Sequence, residues 1–323
     1  MRKKIFGRIL IAGMIFSMAL SLIACGDTKT ANTEEKDTNL VESSVINDKE
    51  DITPAVVKPT GSNAEIVKAM TASKRLVPTK HEKLWSIDAP VLMPVAQGGC
   101  VVDGYLYQGF IDANGDTELI NKCVIQKIDI NTGMVVKESK ELQLAHTNDI
   151  TYNSKLGCLV VIQNQPVANR VVCIDIETLE VKDQFAIEHF MFAIGYHEET
   201  DQYVIGQTQG KTFRILDSEF NAISEVYKPD RVTDSATTQG MALDDDYIYF
   251  VLYKPNMIAV YDWDGNFVSV IELEEMYSAN RYEPENISAI NGEFYVVMKD
   301  TLTSKAVLIK LSDFVPAPEK ESE

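Results

Sequence analysis

Short apolar runs separated by polar turns fill the chain beyond residue 80, and none of them carries the periodicity of an amphipathic helix. A run ending in an apolar residue and Asp recurs as Gln126-Lys127-Ile128-Asp129, Val172-Cys173-Ile174-Asp175, Arg214-Ile215-Leu216-Asp217 and Ala259-Val260-Tyr261-Asp262. The four Asp positions lie 46, 42 and 45 residues apart. A degenerate fifth copy, Val307-Leu308-Ile309-Lys310-Leu311, has Leu311 in place of Asp.

Each copy follows an aromatic or apolar run, at residues 105–110, 158–163, 203–207, 247–252 and 294–298. An earlier run precedes each of those, at 98–102, 148–152, 192–196, 240–243 and 286–290. After the first four Asp copies come a turn and an alternating strand, at 135–142, 181–188, 223–228 and 267–272. The turns carry suitable residues, such as Asn131-Thr132-Gly133 and Asp264-Gly265-Asn266. Four strands per repeat at this period predict an all-β fold, a five-bladed β-propeller. The fifth copy lacks its last strand, and Lys83-Leu84-Trp85-Ser86-Ile87-Asp88 is expected to supply it, so that an N-terminal strand closes the last blade. A β-sandwich, or a propeller with one blade more or fewer, is the alternative.

The chain start reads differently. Arg2, Lys3, Lys4 and Arg8 precede an apolar run from Ile9 to Ala24, the layout of an export signal. The run ends in Leu22-Ile23-Ala24-Cys25, which resembles the bacterial lipobox; the resemblance implies cleavage before Cys25 and lipid attachment to its sulfur. The expected organisation is a signal at 1–24, a polar and acidic tether at 25–80, a propeller at 81–315 and a charged tail at 316–323. Within the tether, Ala64-Glu65-Ile66-Val67-Lys68-Ala69-Met70 suits a turn or two of helix. The expected location is the extracytoplasmic face of the cell membrane, with Cys25 as the membrane contact.

Charge narrows the partners. The formal net charge is −18, and cleavage would take away four basic and no acidic residues, leaving −22. No nucleic-acid partner is expected of such a body. Four cysteines remain beyond Cys25. Cys158 and Cys173 fall on neighbouring strands of one hairpin and suit either a disulfide or two buried thiols, whereas a strand separates Cys100 from Cys123.

Candidate chemistry gathers just before the first strand of each repeat, where a propeller presents one mouth of its channel. The residues are Gln97; His146, Asn148 and Asp149; Thr238 and Gln239; and Glu283, Glu285 and Asn286, with Phe190 and Phe192 in the third repeat. Amides and acids from several blades suit a polyhydroxylated ligand or a hard cation such as Ca2+, or they cap strand ends. Gln97, His146, Asn148, Asp149, Gln239, Glu285 and Asn286 form the candidate ligand-binding set; no cofactor and no metal ligand is assigned. Residues 112–118 hold Asp and Asn at loop positions, but their Gly is misplaced for an EF-hand, and a hairpin tip explains them. Asp244-Asp245-Asp246 reads as a solvated turn, and His81, His189 and His197 share no metal spacing.

The segments 145–153, 238–242 and 284–288 are similar to short signatures of the five-bladed propellers of phage receptor-binding and teichoic-acid-associated proteins. That resemblance spans roughly residues 95–312 and implies binding of cell-surface glycopolymer. The third repeat departs from it with Phe190-Met191-Phe192, and so acidic a body would repel a polyanion unless a divalent cation bridged them. No nucleophile elbow, phosphate loop or paired-His metal motif occurs. The leading expectation is therefore a lipid-anchored propeller that binds an envelope glycan or protein without catalysis. The alternative is a propeller glycoside hydrolase or lyase working with channel carboxylates such as Asp149 and Glu285.

Overall fold

The computed structural model describes residues 56–112, 122–144, 146–163, 169–208, 210–228 and 235–319. The signal, Cys25 and most of the loop at 112–118 lie outside the described residues.

The strands form antiparallel meanders, each starting from an innermost strand. The first holds β2 (Val95–Val102), β3 (Tyr105–Ile111), β4 (Cys123–Asp129) and β5 (Val135–Glu138). The second holds β6 (Thr147–Asn153), β7 (Cys158–Gln163), β8 (Arg170–Asp175) and β9 (Val181–Ala186). The third has only β10 (Ala193–His197), β11 (Gln202–Gln207) and β12 (Thr212–Leu216). The fourth holds β13 (Thr237–Leu243), β14 (Tyr247–Tyr253), β15 (Met257–Asp262) and β16 (Phe267–Glu272). The fifth runs β17 (Tyr282–Ile290), β18 (Glu293–Asp300), β19 (Lys305–Pro316), and its outer strand is β1 (Arg75–Asp88).

Contacts between innermost strands run β2–β6–β10–β13–β17 and return to β2, so the meanders form a ring. The chain is a β-propeller. Alternation within each strand explains why the ring holds. Leu159 and Val161 pack toward the first blade, while Val160 and Ile162, one position on, pack toward the third. Strands buried on both faces read as near-continuous apolar runs, which is why Cys158–Gln163 carries almost no polar residue.

The predicted closing strand is present and longer than expected. β1 pairs with β19 from Leu76 opposite Pro316 to Asp88 opposite Lys305, with an irregularity between Lys83 and Trp85. Its first residues also pair in parallel with β16, Arg75 with Val270 and Leu76 with Ile271, joining the last two blades into one sheet. Trp85 donates from Nε1 to the Ile130 carbonyl at 3.1 Å. It lies under Gly133, whose φ of +71° and lack of a Cβ admit the indole.

The repeated Asp proves to be turn chemistry. In each copy one carboxylate oxygen accepts two backbone N–H groups of the turn that follows: Asn131 and Thr132 for Asp129, Glu177 and Thr178 for Asp175, Glu219 and Asn221 for Asp217, Asp264 and Asn266 for Asp262.

Two expectations differ in detail, and the choice left open at Cys158 and Cys173 falls to free thiols. Residues 223–228 do not form a regular strand; they and Ala222 meet β12 through isolated bridges at Leu216–Ala222 and Phe213–Tyr227 and an Ile223 N–H to Ile215 carbonyl bond of 3.1 Å. The Ser224 hydroxyl accepts the Ile215 N–H at 2.9 Å, so a side chain replaces the ladder at that point. Residues 56–80, assigned to the tether, hold a helix α1 (Ala64–Ala72) and the start of β1. Asn63 caps α1 by accepting from the Ile66 N–H, and Ile66 and Met70, one turn apart, are buried against Tyr247, Phe294 and Phe314. Cys158 and Cys173 are free, buried thiols that hydrogen-bond to each other; register sets them diagonally, with Cys173 opposite Val160.

A tether would tolerate any change at residue 70, whereas a packed helix would not. Met70→Ala should lower the unfolding free energy by about 2–5 kcal/mol, read as a lower urea midpoint with an unchanged slope. An unaltered midpoint would return α1 to the tether.

Candidate functional site

The leading end of the ring, where the innermost strands begin, carries a local irregularity in four of the five blades. Register shifts fall between Ala96 and Gly99, Thr147 and Asp149, Thr238 and Gly240, and Pro284 and Asn286. The extra residues are Gln97 with Gly98, Asn148, Gln239 and Glu285. A bulge interrupts the in–out alternation and re-aims the side chain it adds. β10 has no such shift, and its leading neighbour is Phe192.

The bulge side chains meet their neighbours across blade boundaries. Gln97 Nε2 donates to the Ala96 carbonyl at 3.0 Å and to Glu285 Oε2 at 3.4 Å. Gln239 Nε2 donates to Glu283 Oε1 at 3.0 Å, and the other Glu283 oxygen lies 3.5 Å from Lys299 Nζ. The Asn148 amide donates to the Phe192 carbonyl, and its Oδ1 lies 3.0 Å from His146 Nδ1. With the Asn148 amide so oriented, the His146 proton sits on Nδ1. Burial pulls the His146 pKa down against the Asn148 hydrogen bond, which favours the neutral ring.

Two of the expected ligand residues serve the ring instead. Asp149 is fully buried. Its Oδ1 accepts the Ile150 N–H at 3.0 Å, and its Oδ2 accepts Ile194 N–H at 3.0 Å and Met241 N–H at 3.1 Å. One carboxylate thus ties the second, third and fourth blades together. Burial drives its pKa well above the usual range, and the three N–H donors pull the other way. Asn286 donates to the Gln97 carbonyl at 3.1 Å and to Gln108 Oε1 at 2.8 Å, joining the fifth blade to the first. The strands come close here: a Cβ on Gly98 would meet the Asp149 backbone at 2.4 Å, and one on Gly240 would meet Asn286 Cα at 2.9 Å.

Glu285 differs from these. It is 3% exposed, and its Oε1 has no hydrogen-bond partner in the protein. Burial raises its pKa well above the usual carboxylate range, the Glu283 charge adds to this, and Lys299 opposes it. Burial thus favours the neutral form, which can donate a hydrogen bond as well as accept one. The leading mouth presents neutral amides and this acid, with Glu283 and Lys299 offsetting each other beside them. Asp149 has both oxygens engaged, so the expected oxygen ring offers no Asp149 ligand to Ca2+.

Some participants escaped the sequence reading. Gln108 stands mid-strand on β3, where its Nε2 donates to the Gln97 and Gly109 carbonyls at 2.6 and 2.9 Å. A lone amide inside an apolar run was its only signal. At the trailing end, where the innermost strands finish, the ligand atoms of His197, Glu199 and Asp245 lie within 4.8 Å of one another. They are the described residues with the nearest approach to a metal-ligand set. Each is already engaged: His197 Nδ1 with Thr200 at 3.1 Å, His197 Nε2 with Asp245 at 2.9 Å, and Glu199 with the Thr60 N–H and hydroxyl. Asp244-Asp245-Asp246 is consequently more than a solvated turn. Asp244 accepts the Asp246 and Tyr247 N–H groups and the Tyr249 hydroxyl, and Asp246 accepts the Asn63 N–H at 2.8 Å.

No family model matches the chain, and no curated protein matches it in sequence. Solved structures do resemble it in shape. A glutaminyl cyclase from Myxococcus xanthus superposes with a TM-score of 0.52 at 10% identity, covering 74% of this chain and 99% of its own. The Cps50 (Swd1) β-propeller domain from Myceliophteria thermophila gives 0.43 at 9% identity over 72% of this chain and 100% of its own. A streptogramin B lyase gives 0.40 at 15% identity, with 74% of each chain covered. Likeness at such identity concerns the fold alone.

The state of Glu285 has a measurable consequence. Folding raises its pKa above the ordinary value of 4.5, so the folded chain keeps a proton that the unfolded chain releases. The stability this proton contributes is complete below the unfolded pKa and is lost as pH rises toward the folded one. Wild type should therefore lose stability relative to Glu285→Gln as pH rises above 4.5. Paired urea titrations with the same pH slope for both proteins would show that Glu285 titrates normally.

Proposed function

We propose that this chain is a lipid-anchored, extracytoplasmic β-propeller that binds a polyhydroxylated ligand, a cell-envelope glycan, at the leading mouth of its channel. The observation that carries the reading is the Glu285 acid, whose Oε1 is buried without a partner beside the amides of Gln97 and Gln239. An unsatisfied buried polar atom costs about 1–3 kcal/mol, and a ligand hydroxyl that reached it would recover that cost. Gln97 is only half-buried and holds Glu285 by one long hydrogen bond of 3.4 Å, so it is the side chain placed to move aside.

Several features favour a neutral or lightly charged glycan over a polyanion. The chain carries −18, and the leading mouth has no unpaired cation among the candidate residues to attract phosphate. The engagement of both Asp149 oxygens also favours binding over the hydrolase alternative, which needs a second free carboxylate opposite Glu285. The anchor rests on the Leu22-Ile23-Ala24-Cys25 sequence behind its basic start.

Two experiments test the two halves. Gln97→Ala combined with Gln239→Ala should weaken binding on an array of neutral envelope glycans by about tenfold, roughly 1.4 kcal/mol, with thermal stability kept. Absence of any glycan binding by the wild type would sink the reading. Cys25→Ser should move the chain from the membrane fraction to the soluble one and abolish incorporation of labelled palmitate; retention in the membrane without label would leave an uncleaved signal as the anchor.

A further inference from the structure

A cavity of about 390 Å³ lies at the trailing end, walled by the last residues of all five innermost strands. That volume is within the range of small-molecule sites. Its wall mixes polar and apolar groups: Ile150, Met241 and Ile287 supply apolar surface, and Ser154 Oγ in the wall is buried without a hydrogen-bond partner.

Its rim is one-signed. Asp103 and Glu198 stand there, both exposed, and no Lys, Arg or His lines the cavity among the described residues. Neither carboxylate has an ion-pair partner among the described residues. Asp103 is fixed by the tight turn it makes with Gly104, where both residues have positive φ, 48° and 79°. Tyr152 also lines the wall. Its hydroxyl is pushed up by burial first, then by the charges of Asp103 and Glu198, so both carboxylates act on the same spot.

The geometry points to a second binding site at the trailing mouth, for a small organic cation that carries an apolar group. The apolar part fills the space beside Ile150, Met241 and Ile287. The ammonium group stays at the rim between Asp103 and Glu198, against the Tyr152 ring, where a cation is attracted by both charge and quadrupole. Ser154 Oγ is free to accept or donate one hydrogen bond inside. A neutral amphiphile would leave two like charges facing each other at the rim, and an anion would add a third.

Calorimetric titration of the full-length chain with n-hexylamine, 1-hexanol and hexanoate at pH 7 tests this. Hexylamine should bind about tenfold tighter than hexanol, hexanoate should bind weakest, and added salt should narrow the gap. Asp103→Asn with Glu198→Gln, both on exposed turns, should remove the preference for the amine and leave hexanol binding in place. A thermal melt confirms that the double variant is folded. Equal binding of amine and alcohol would overturn the proposal, as would a preference that survives the double variant or a failure of all three probes to bind. Glycan binding at the leading mouth is read in a separate titration, so either site can fail alone.

Discussion

A ring of sheets buries nothing durable until its two ends meet, and here they meet through β1. Before closure the fifth meander has an open edge at β19, and the first has no partner on one side. Pairing of Leu76–Asp88 with Lys305–Pro316 covers that edge along its whole length. It also sets Trp85 beside Leu308, Phe110, Val124 and Ile128, at the interface of the last blade with the first. The closed loop spans most of the chain. Its entropic cost grows only slowly with length, whereas the apolar area it seals grows with every blade. The start of β1 reaches further, to β16, and Arg75 forks onto Glu272 at 2.7 and 3.0 Å. With both partners partly exposed, that pair fixes position more than it adds stability.

Closure presses the innermost strands together, and the chemistry of the channel follows from the crowding. Gly98 and Gly240 stand where backbones approach too closely for a side chain. Between the strands the exposed peptide groups need partners, and side chains supply them: Asp149 takes Ile194 and Met241 N–H, Thr151 takes the Tyr196 N–H, and Ser288 takes the Val101 N–H. These bonds span blade boundaries in a low-dielectric setting, where a satisfied network rigidifies and an orphan is costly. Glu285 Oε1 and Thr147 Oγ1 are atoms of this layer that the network leaves unsatisfied.

Much of this was legible. The Asp spacing revealed the repeat because Asp at the end of the third strand can accept the next turn's N–H groups in each of four blades, a local requirement written in one residue type. The closing strand was legible by subtraction, since the fifth repeat was one strand short. The extent of β1 was not, because residues 75–82 alternate poorly and are held by pairing with β19 more than by apolar burial. Bulges were not legible either. Gln97, Asn148, Gln239 and Glu285 looked like a ring of ligands before strands, but the register shift that sets them apart from Asp149 and Asn286 depends on the partner strand. His197 and Asp245 lie 48 residues apart and meet because they occupy neighbouring positions in successive blades, a relation no local motif carries.

The two ends of one channel therefore differ in kind. At the leading end, burial favours the neutral form of Glu285, Glu283 is offset by Lys299, and the amides are spent on their neighbours. What remains suits hydroxyl groups, which can both donate and accept. At the trailing end Ile150, Met241 and Ile287 supply apolar surface, and no Lys, Arg or His lines the cavity beside the rim acids among the described residues. Asp149 and the narrow passage at Gly98 and Gly240 stand between them, so a ligand at one end gains nothing from the other. A cation drawn to Asp103 and Glu198 would find only a neutral acid at Glu285, and a sugar that satisfied Glu285 would leave the trailing carboxylates unpaired. The N-terminal segment reinforces the asymmetry. Val57, Thr60 and Asn63 bond to Gln202, Glu199 and Asp246 on the trailing side of the third and fourth blades.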